Sequence, residues 1–208
     1  MGRLSLVLRD FPLHSLPTLE VHHVEGRLSG TAHVVGWGKN ARLDLDLSSN
    51  DLAVSDRTIG HLEAKLSGTA DALRLGAQIQ GPGGDLTARL EAPWQWGGRL
   101  VPRPAGQLQG KIETRDFQLS SLLPLVDGSI SELAGRLDAH FSATLEGDQT
   151  RLSGEATLAQ GVINLAALGQ RFHDITAKIA LTQQELRLEE LRARGLTGAL
   201  EAQATAQL

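Results

Sequence analysis

Two copies of one long pattern follow each other in this chain, and this repetition constrains the fold more than any other feature of the sequence. Residues 9–16 (RDFPLHSL) return as residues 115–122 (RDFQLSSL). Each copy then reaches a Gly-Arg-Leu tripeptide, which begins at Gly26 in the first copy and at Gly135 in the second. A repeat of this length, made of strand-like segments, predicts an extended, stacked sheet rather than a compact enzyme core.

The two copies stay in step beyond these tripeptides. Residues 62–66 (LEAKL) correspond to residues 175–179 (ITAKI), and the tripeptide Leu-Arg-Leu at 73–75 returns at 186–188. The spacing between the copies grows by a few residues along the chain, as expected if hairpin loops absorb the insertions.

The repeat predicts a division into two β-units, residues 1–91 and residues 107–208. Between them, residues 92–106 are rich in Pro, Gly and Trp and form the predicted seam. The strand pattern is present in the first residues and still present in the last ones. We therefore expect one continuous body that is a piece of a longer protein.

Alternation of apolar and polar residues recurs along nearly the whole chain, and it is clearest in residues 43–47 (LDLDL). A period of two places the leucines of such a strand on one face and the aspartates on the other. The same pattern elsewhere predicts one long apolar face on an antiparallel sheet. The residues predicted to line it are Leu43, Leu45, Leu47, Leu62, Ala64, Leu66, Leu73, Leu75, Leu137, Ala139, Phe141, Ala143, Ile175, Ala177, Ile179, Leu200 and Ala202.

Turn-forming sequences separate the alternating segments roughly every eight to twelve residues, as in an antiparallel meander. These turn signals lie at residues 36–40, 48–51, 81–85, 97–98 and 147–149.

Two segments break the alternation in the same way, at residues 11–17 and 117–124. Their apolar residues recur at three- and four-residue spacing, which predicts a short helical turn across the sheet in each copy. The predicted fold class is all-β, with one or two short helical turns.

Composition excludes several classes of function. The net charge is -4 with both signs scattered, and aromatic residues make up 3% of the chain, so we expect no nucleic-acid partner. Cysteine is absent, which removes disulfides, thiolate metal sites and cysteine nucleophiles. No run of about 18 apolar residues predicts a membrane-spanning helix.

No residue pattern indicates catalysis, a metal or a cofactor, so we predict a protein that is not an enzyme. His22 and His23 are adjacent and would point to opposite faces of a strand, and the other five histidines are scattered. Asp44 and Asp46 lie opposite leucines on the predicted wet face, which favours a pair of solvated carboxylates over the buried pair that acid–base catalysis requires. The glycine-rich residues 81–85 precede no helical pattern and predict a hairpin rather than a phosphate loop.

The apolar face is therefore the candidate functional surface. Its side chains are mostly Leu, Ala, Val and Ile, and so many small aliphatic residues suit flexible hydrocarbon chains better than a filled core. Two alternatives remain open at this point. The face could pack shut in a closed β-sandwich spacer, or an unpaired sheet edge could capture a partner strand by β-augmentation.

Three phrases resemble repeats of the TamB and AsmA-like family of Gram-negative envelopes. They are residues 156–165 (ATLAQGVINL), residues 168–175 (LGQRFHDI) and residues 186–200 (LRLEELRARGLTGAL). In each, a small turn leads into alternating aliphatic and polar residues, with a glycine before the next strand.

The resemblance implies an elongated antiparallel sheet curled into a β-taco half-pipe with an apolar concave groove. It implies a lipid conduit that shields phospholipid acyl chains between the inner and outer membranes. It further implies a periplasmic location, a parent protein anchored in the inner membrane, and an outer-membrane β-barrel protein as a partner. It carries over no catalytic, metal or cofactor residue.

Overall fold

A computed structural model describes residues 2–15, 24–36, 40–54, 57–96, 102–104, 106–125, 130–147, 149–166 and 169–207. These residues form fourteen strands and two 3-10 helices. The strands are β1 Arg3–Pro12, β2 Val24–Glu25, β3 Arg27–Val35, β4 Arg42–Val54, β5 Arg57–Gly68, β6 Ala72–Gln80, β7 Asp85–Trp96, β8 Pro102–Pro104, β9 Leu108–Gln118, β10 Ile130–Glu146, β11 Gln149–Leu165, β12 Gln170–Leu181, β13 Glu185–Arg194 and β14 Ala199–Gln207. The 3-10 helices are Leu13–Ser15 and Leu119–Leu125.

The strands form an open antiparallel meander. Its order is β1-β3-β4-β5-β6-β7-β9-β10-β11-β12-β13-β14, and the short β2 and β8 pair with β4 and β7 outside this path. The two ends of the path do not meet, so the sheet curls into a half-pipe without closing into a barrel.

The all-β prediction is confirmed, and so are the two helical turns. The closed-sandwich alternative is wrong for the described residues, because their strands lie in one open sheet.

The sequence repeat is also a structural repeat of six strands. β1 and β3–β7 carry the first copy, and β9–β14 carry the second. Asp10 and Asp116 both adopt left-handed backbone conformations, with φ of 48° and 49°. Gly26 and Gly135 have φ of 133° and 131°, a region that L side chains rarely adopt. The glycine of the shared Gly-Arg-Leu tripeptide is therefore explained by the backbone, since each copy has this positive φ at the same bend.

A line of β-bulges runs near one end of the strands in each unit, and the pairs β5–β6, β6–β7 and β7–β9 between them keep an unbroken register. The register shifts lie between Leu8 and Phe11, Ser49 and Leu52, Ala134 and Arg136, Leu158 and Gly161, and Leu188 and Leu191. A bulge bends its strand and increases the local twist. Bulges in neighbouring strands therefore bend the sheet along a common line.

The turn predicted at residues 48–51 is wrong, because β4 runs straight through it as part of this line. Ser49 is only 2% exposed. The Asp51 carboxylate accepts hydrogen bonds from the Ser49 hydroxyl at 3.3 Å and from the Arg27 backbone N–H at 2.9 Å. Polar residues that signal a turn in the sequence here satisfy backbone groups at a bulge.

The predicted turn at residues 81–85 is confirmed as the β6–β7 hairpin, where the Gly84 N–H donates to the Gly81 carbonyl at 3.0 Å. Residues 37–39 of the turn predicted at 36–40, and both residues of the turn predicted at 97–98, lie outside the described residues. The same holds for Asp148 in the turn predicted at 147–149. The predicted seam begins within β7, and β7 pairs directly with β9, so the sheet passes from the first unit to the second without a break.

A small core closes one end of the first unit. Leu13, Leu52 and Ile59 are 5–8% exposed, and five partly buried apolar residues pack against them: Val24, Leu28, Val54, Leu62 and Ile79. The N–H of Leu13 donates to the Gly26 carbonyl at 2.9 Å, which fastens the first 3-10 helix to the sheet. The helix therefore covers the core at this end of the strands.

The molecule as a whole exposes a large surface. The accessible surface of the chain is 13713 Å², whereas a compact chain of 22.2 kDa is expected to expose about 9,400 Å². Only eight apolar residues are fully buried in the described part of the chain. The 3-10 helices that the structure describes are too short to span a bilayer.

Truncation in the small core is expected to destabilise the fold. Leu13→Ala removes a buried side chain from beneath the first 3-10 helix and should lower the free energy of unfolding by about 2–5 kcal/mol. Chemical denaturation followed by far-UV circular dichroism measures the change. Leu4→Ala, at a leucine that is 66% exposed, is the matched control and should change stability by less than about 0.5 kcal/mol. Equal effects of the two variants would contradict a core at this end.

The bulge carboxylate should give stability a specific pH dependence. The Arg27 backbone N–H and the Ser49 hydroxyl hold the pKa of Asp51 below its usual value. The stabilising effect is then complete above the unfolded pKa of about 3.9 and disappears as pH falls through the lower folded pKa. Asp51→Ala should melt at a lower temperature than the wild type at pH 7, and the gap should shrink below pH 4. A gap that persists unchanged in acid would show that the charge of Asp51 is irrelevant.

Candidate functional site

The pairing register gathers the apolar residues of successive strands on one face of the sheet. Residues that are directly opposite in an antiparallel pair point to the same side, so each register pair extends a row across the strands. Two central rows result, and large and small side chains change places between them from the first unit to the second. The first consists of Leu45, Leu66, Leu75, Leu90, Gly110, Ala143 and Leu152. The second consists of Leu47, Ala64, Ala77, Ala88, Ile112, Phe141, Gly154, Leu181 and Leu186.

Flanking rows complete the apolar face. On one side Val34, Leu43, Gly68, Leu73 and Ala92 are aligned. On the bulge side the aligned residues are Leu62, Ile79, Leu86, Thr114, Ala139, Ala156, Ile179, Leu188 and Ala204, followed by Leu137, Leu158, Ala177, Leu191 and Ala202. No residue in these rows is charged.

The register places every residue predicted to line the apolar face on this same side. Leu43, Leu45 and Leu47 alternate along β4, and Leu62, Ala64, Leu66, Leu73 and Leu75 continue their rows in β5 and β6. Leu137, Ala139, Phe141 and Ala143 lie along β10, and Ile175, Ala177 and Ile179 lie along β12. Leu200 and Ala202 belong to β14. None of the seventeen is fully buried: Leu75 and Leu200 are exposed, the others are partly exposed, and Leu62 also packs against the small core.

Several residues of the face were missed by the sequence analysis. They are Leu4 and Leu6 in β1, Ile112 in β9 and Leu152 in β11. In β9 and β11 a glycine weakens the alternation, as Gly110 does before Ile112 and Gly154 does after Leu152. The period of two was nevertheless present, and it could have been followed through the glycines.

Exposure of large apolar residues is concentrated on this face. Among the described residues, those that stand out to solvent include Leu4, Leu6, Leu75, Ile112, Leu145, Leu152, Leu186 and Leu200, between 37% and 66% exposed. All eight have the parity of the apolar rows. Only Val7, on the other face, and Leu196, in a turn, are comparable exceptions. Monomeric soluble proteins seldom leave large apolar patches uncovered, so the concentration of exposed leucines on one face indicates an interaction surface.

The curl of the sheet turns part of this face into a cavity of about 250 Å³. Side chains from six successive strands bound it, among them Leu75, Leu90, Ile112, Phe141, Leu152 and Leu181. The Phe141 ring lies over Gly154 and leaves no room for a Cβ there. This aromatic residue therefore shapes the cavity by packing on backbone, while Gly110 and Ala143 beside it leave depth.

The opposite face carries the charges. Asp44 and Asp46 lie there, as predicted, and both are exposed. Cross-strand ion pairs include Arg74–Glu91 at 3.0 Å and Lys178–Glu189 at 2.9 Å. The Glu189 carboxylate raises the pKa of Lys178, and Lys178 in turn lowers the pKa of Glu189. Exposed pairs of this kind stabilise little, but they keep this face wet and so fix which side of the sheet is apolar.

The described histidines do not converge on a site. His33 contacts the Ser5 hydroxyl at 3.0 Å, His61 contacts Glu63 at 3.2 Å and His173 contacts Asp174 at 3.1 Å. In the part of the chain that the structure describes, no three His, Asp or Glu side chains are grouped so that they could hold a metal ion. His22 and His23 lie outside the described residues.

Comparison with known proteins adds no assignment to this geometry. No protein-family model, curated protein or solved structure matches the chain. The apolar face therefore has to be interpreted from its own residues.

An accessible apolar face should bind hydrophobic dyes in the native state. We expect a dye such as anilinonaphthalene sulfonate to fluoresce strongly with the folded, detergent-free chain, because a half-pipe leaves Leu75, Ile112 and Leu152 accessible. The measurement is dye fluorescence at temperatures below the unfolding transition, with far-UV circular dichroism recorded on the same sample. A chain with full β-signal and no dye enhancement would mean that the face is covered.

Proposed function

We propose that this chain is a non-enzymatic lipid conduit whose apolar face shields the acyl chains of phospholipids. The observation that carries the proposal is the set of uncharged apolar rows, which cross the described strands without interruption on the concave side of the sheet. Such a face is unfavourable in water and needs an apolar cover. Acyl chains supply that cover without hydrogen-bonding partners.

The irregular shape of the apolar face suits flexible hydrocarbon chains rather than a rigid ligand. Leucines alternate with alanines and glycines along and across the rows, as in Leu90 beside Gly110 and Ala88 beside Ile112. A chain of methylene groups adapts to this irregular surface, and each group that leaves water contributes about 0.8 kcal/mol. Because polar anchoring groups are rare on the face, selectivity among phospholipid head groups should be low.

The direction of the rows favours the movement of acyl chains along the sheet over their storage at one place. They run from strand to strand, and the eleven steps between the twelve strands of the path correspond to about 50 Å at the usual strand spacing of about 4.8 Å. An acyl chain could shift along this path by one strand at a time without placing a polar protein group in hydrocarbon. The head group would remain in water at the open side of the half-pipe.

The resemblance to the TamB and AsmA-like family extends the proposal to the cell. It favours membership of that family, a periplasmic location and transport between the inner and outer membranes. It also favours a parent protein anchored in the inner membrane and contact with an outer-membrane β-barrel protein. The open half-pipe and its apolar concave face agree with that role.

The direct test compares two neighbouring aspartate substitutions on β10. Ala143→Asp adds a charge to the apolar face, where Ala143 lies opposite Gly110 and Leu152. Ser142→Asp adds the same charge to the polar face, where Ser142 lies opposite Lys111 and its hydroxyl is 2.7 Å from that of Ser153. The chain is purified without detergent from a Gram-negative host, and bound phospholipid is measured by native mass spectrometry.

Phospholipid should accompany the wild type and Ser142→Asp and be lost from Ala143→Asp. An unpaired charge in hydrocarbon costs several kcal/mol, so affinity for a fluorescent fatty acyl probe should fall at least about tenfold in Ala143→Asp alone. Circular dichroism and the melting temperature establish that both variants are folded. Equal lipid binding by two folded variants, or a lipid-free wild type that takes up no acyl probe, would overturn the proposal.

A further inference from the structure

A furrow of small residues crosses the apolar face in the middle of the sheet, where every strand is paired on both sides. Its floor in β5, β6 and β7 is a row of three aligned alanines, Ala64, Ala77 and Ala88. Aligned larger residues flank this floor, with Leu66, Leu75 and Leu90 on one side and Leu62, Ile79 and Leu86 on the other. The furrow therefore runs from strand to strand between two ridges.

A wall of two large side chains, Ile112 and Phe141, ends this furrow where the first unit meets the second. Ala88 lies opposite Ile112 of β9, and Ile112 lies opposite Phe141 of β10. The Phe141 ring also leaves no room for a Cβ at Gly154, the next residue of the same row in β11. A straight path across the sheet is therefore blocked from β9 to β11.

The small residues continue one row to the side of the wall. Gly110 of β9 and Ala143 of β10 lie opposite each other there. The cavity of about 250 Å³ is lined by Ala88, Gly110 and Ala143 together, so it joins the two parts of the floor. Leu152, opposite Ala143 in β11, closes the far end of the cavity. The floor thus makes a sideways step between the two units.

The other side of the wall is less suited to an apolar ligand. Thr114, two residues from Ile112 along β9, has a hydroxyl that donates to the Leu137 carbonyl at 3.2 Å. Ala156, which follows in the same row in β11, is only 9% exposed. The step towards Gly110 is therefore the open continuation of the furrow.

The whole floor, from Ala64 to Ala143, is about 22 Å long, with three strand spacings of about 4.8 Å and one diagonal step of about 7–8 Å. The diagonal step leads from Ala88 to Gly110 and comes near the middle of the floor. An acyl chain covers one half of the hydrocarbon core of a bilayer, about 15 Å. The floor is therefore long enough for one whole acyl chain.

We propose that this stepped floor holds a single acyl chain and favours one with a cis double bond near its middle. The inference rests on the proposed function and deepens it, since it names the class of acyl chain. A cis double bond fixes a bend in the chain, whereas a trans-unsaturated chain runs straight in its most stable form. A ligand that already has its bound shape loses less freedom on binding. Ile112 and Phe141 then determine specificity, because they exclude the straight route.

Oleate and elaidate, the cis and trans isomers of one fatty acid, test this preference. Each is titrated against a bound fluorescent acyl probe on the delipidated, folded chain, below the concentrations at which the fatty acids form micelles. We expect oleate to bind at least about threefold more tightly, because the isomers differ only in shape. Equal affinities, or tighter binding of elaidate, would overturn the inference and leave the lipid conduit standing. Binding of neither isomer would overturn both.

Two glycine substitutions locate the preference. Gly110→Leu fills the step, and a Cβ there meets Leu90 Cδ1 at 3.7 Å, an ordinary contact. Gly76→Leu is the matched control on the charged face, where Gly76 lies between Lys65 and Arg89 and a Cβ meets nothing within 4 Å. Gly110→Leu should remove the difference between the isomers, and Gly76→Leu should keep it. An unchanged preference in folded Gly110→Leu would contradict the assignment to the step.

Removal of the wall should abolish the preference by the opposite route. Ile112→Ala combined with Phe141→Ala extends the row of alanines straight ahead through β9 and β10. Elaidate should then gain affinity while oleate keeps its own, because the straight route is open. Far-UV circular dichroism and the melting temperature establish that each variant is folded. A folded double variant that still prefers oleate as the wild type does would refute the role of the wall.

Discussion

The pairing register between neighbouring strands is the constraint on which the rest of this structure depends. A slip of one residue in any pair would turn every leucine of that strand to the charged face. The alignment holds from Leu45 through Leu66 and Leu75 to Leu90, across four strands and both sides of the hairpin at residues 81–85. Charged side chains on the other face enforce the same parity, because a slip would also place them among the leucines.

The bulge line allows this register to coexist with a curved sheet. Left-handed residues such as Asp10 and Asp116, and glycines such as Gly26 and Gly135, lie at or beside bulges in both units. Because they recur at equivalent positions, the bend is built into the repeat. Curvature then gives the apolar side its cavity, so backbone geometry rather than any single side chain creates the candidate site.

The parity of the candidate site could be predicted from the sequence to a large extent. The seventeen residues expected on the apolar face share one side because alternation depends only on the extended backbone. Prediction failed where a run of polar residues was compatible both with a turn and with a bulge inside a strand. Ser49 and Asp51 looked like a turn, yet they lie inside a continuous strand, where the Asp51 carboxylate accepts from the Arg27 backbone N–H and from the Ser49 hydroxyl. It also failed where glycines hid the period, as at Gly110 and Gly154 in β9 and β11.

The sequence by itself determined the all-β class, the two-unit repeat and the apolar side of the strands whose alternation is unbroken, because these follow from a period of two and from recurring motifs. Only the tertiary structure decided that the sheet stays open, that it bends along the bulges, and that Phe141, Ile112 and Leu90 bound one cavity. These features depend on contacts between strands distant in sequence, and alternation within a strand carries no information about them.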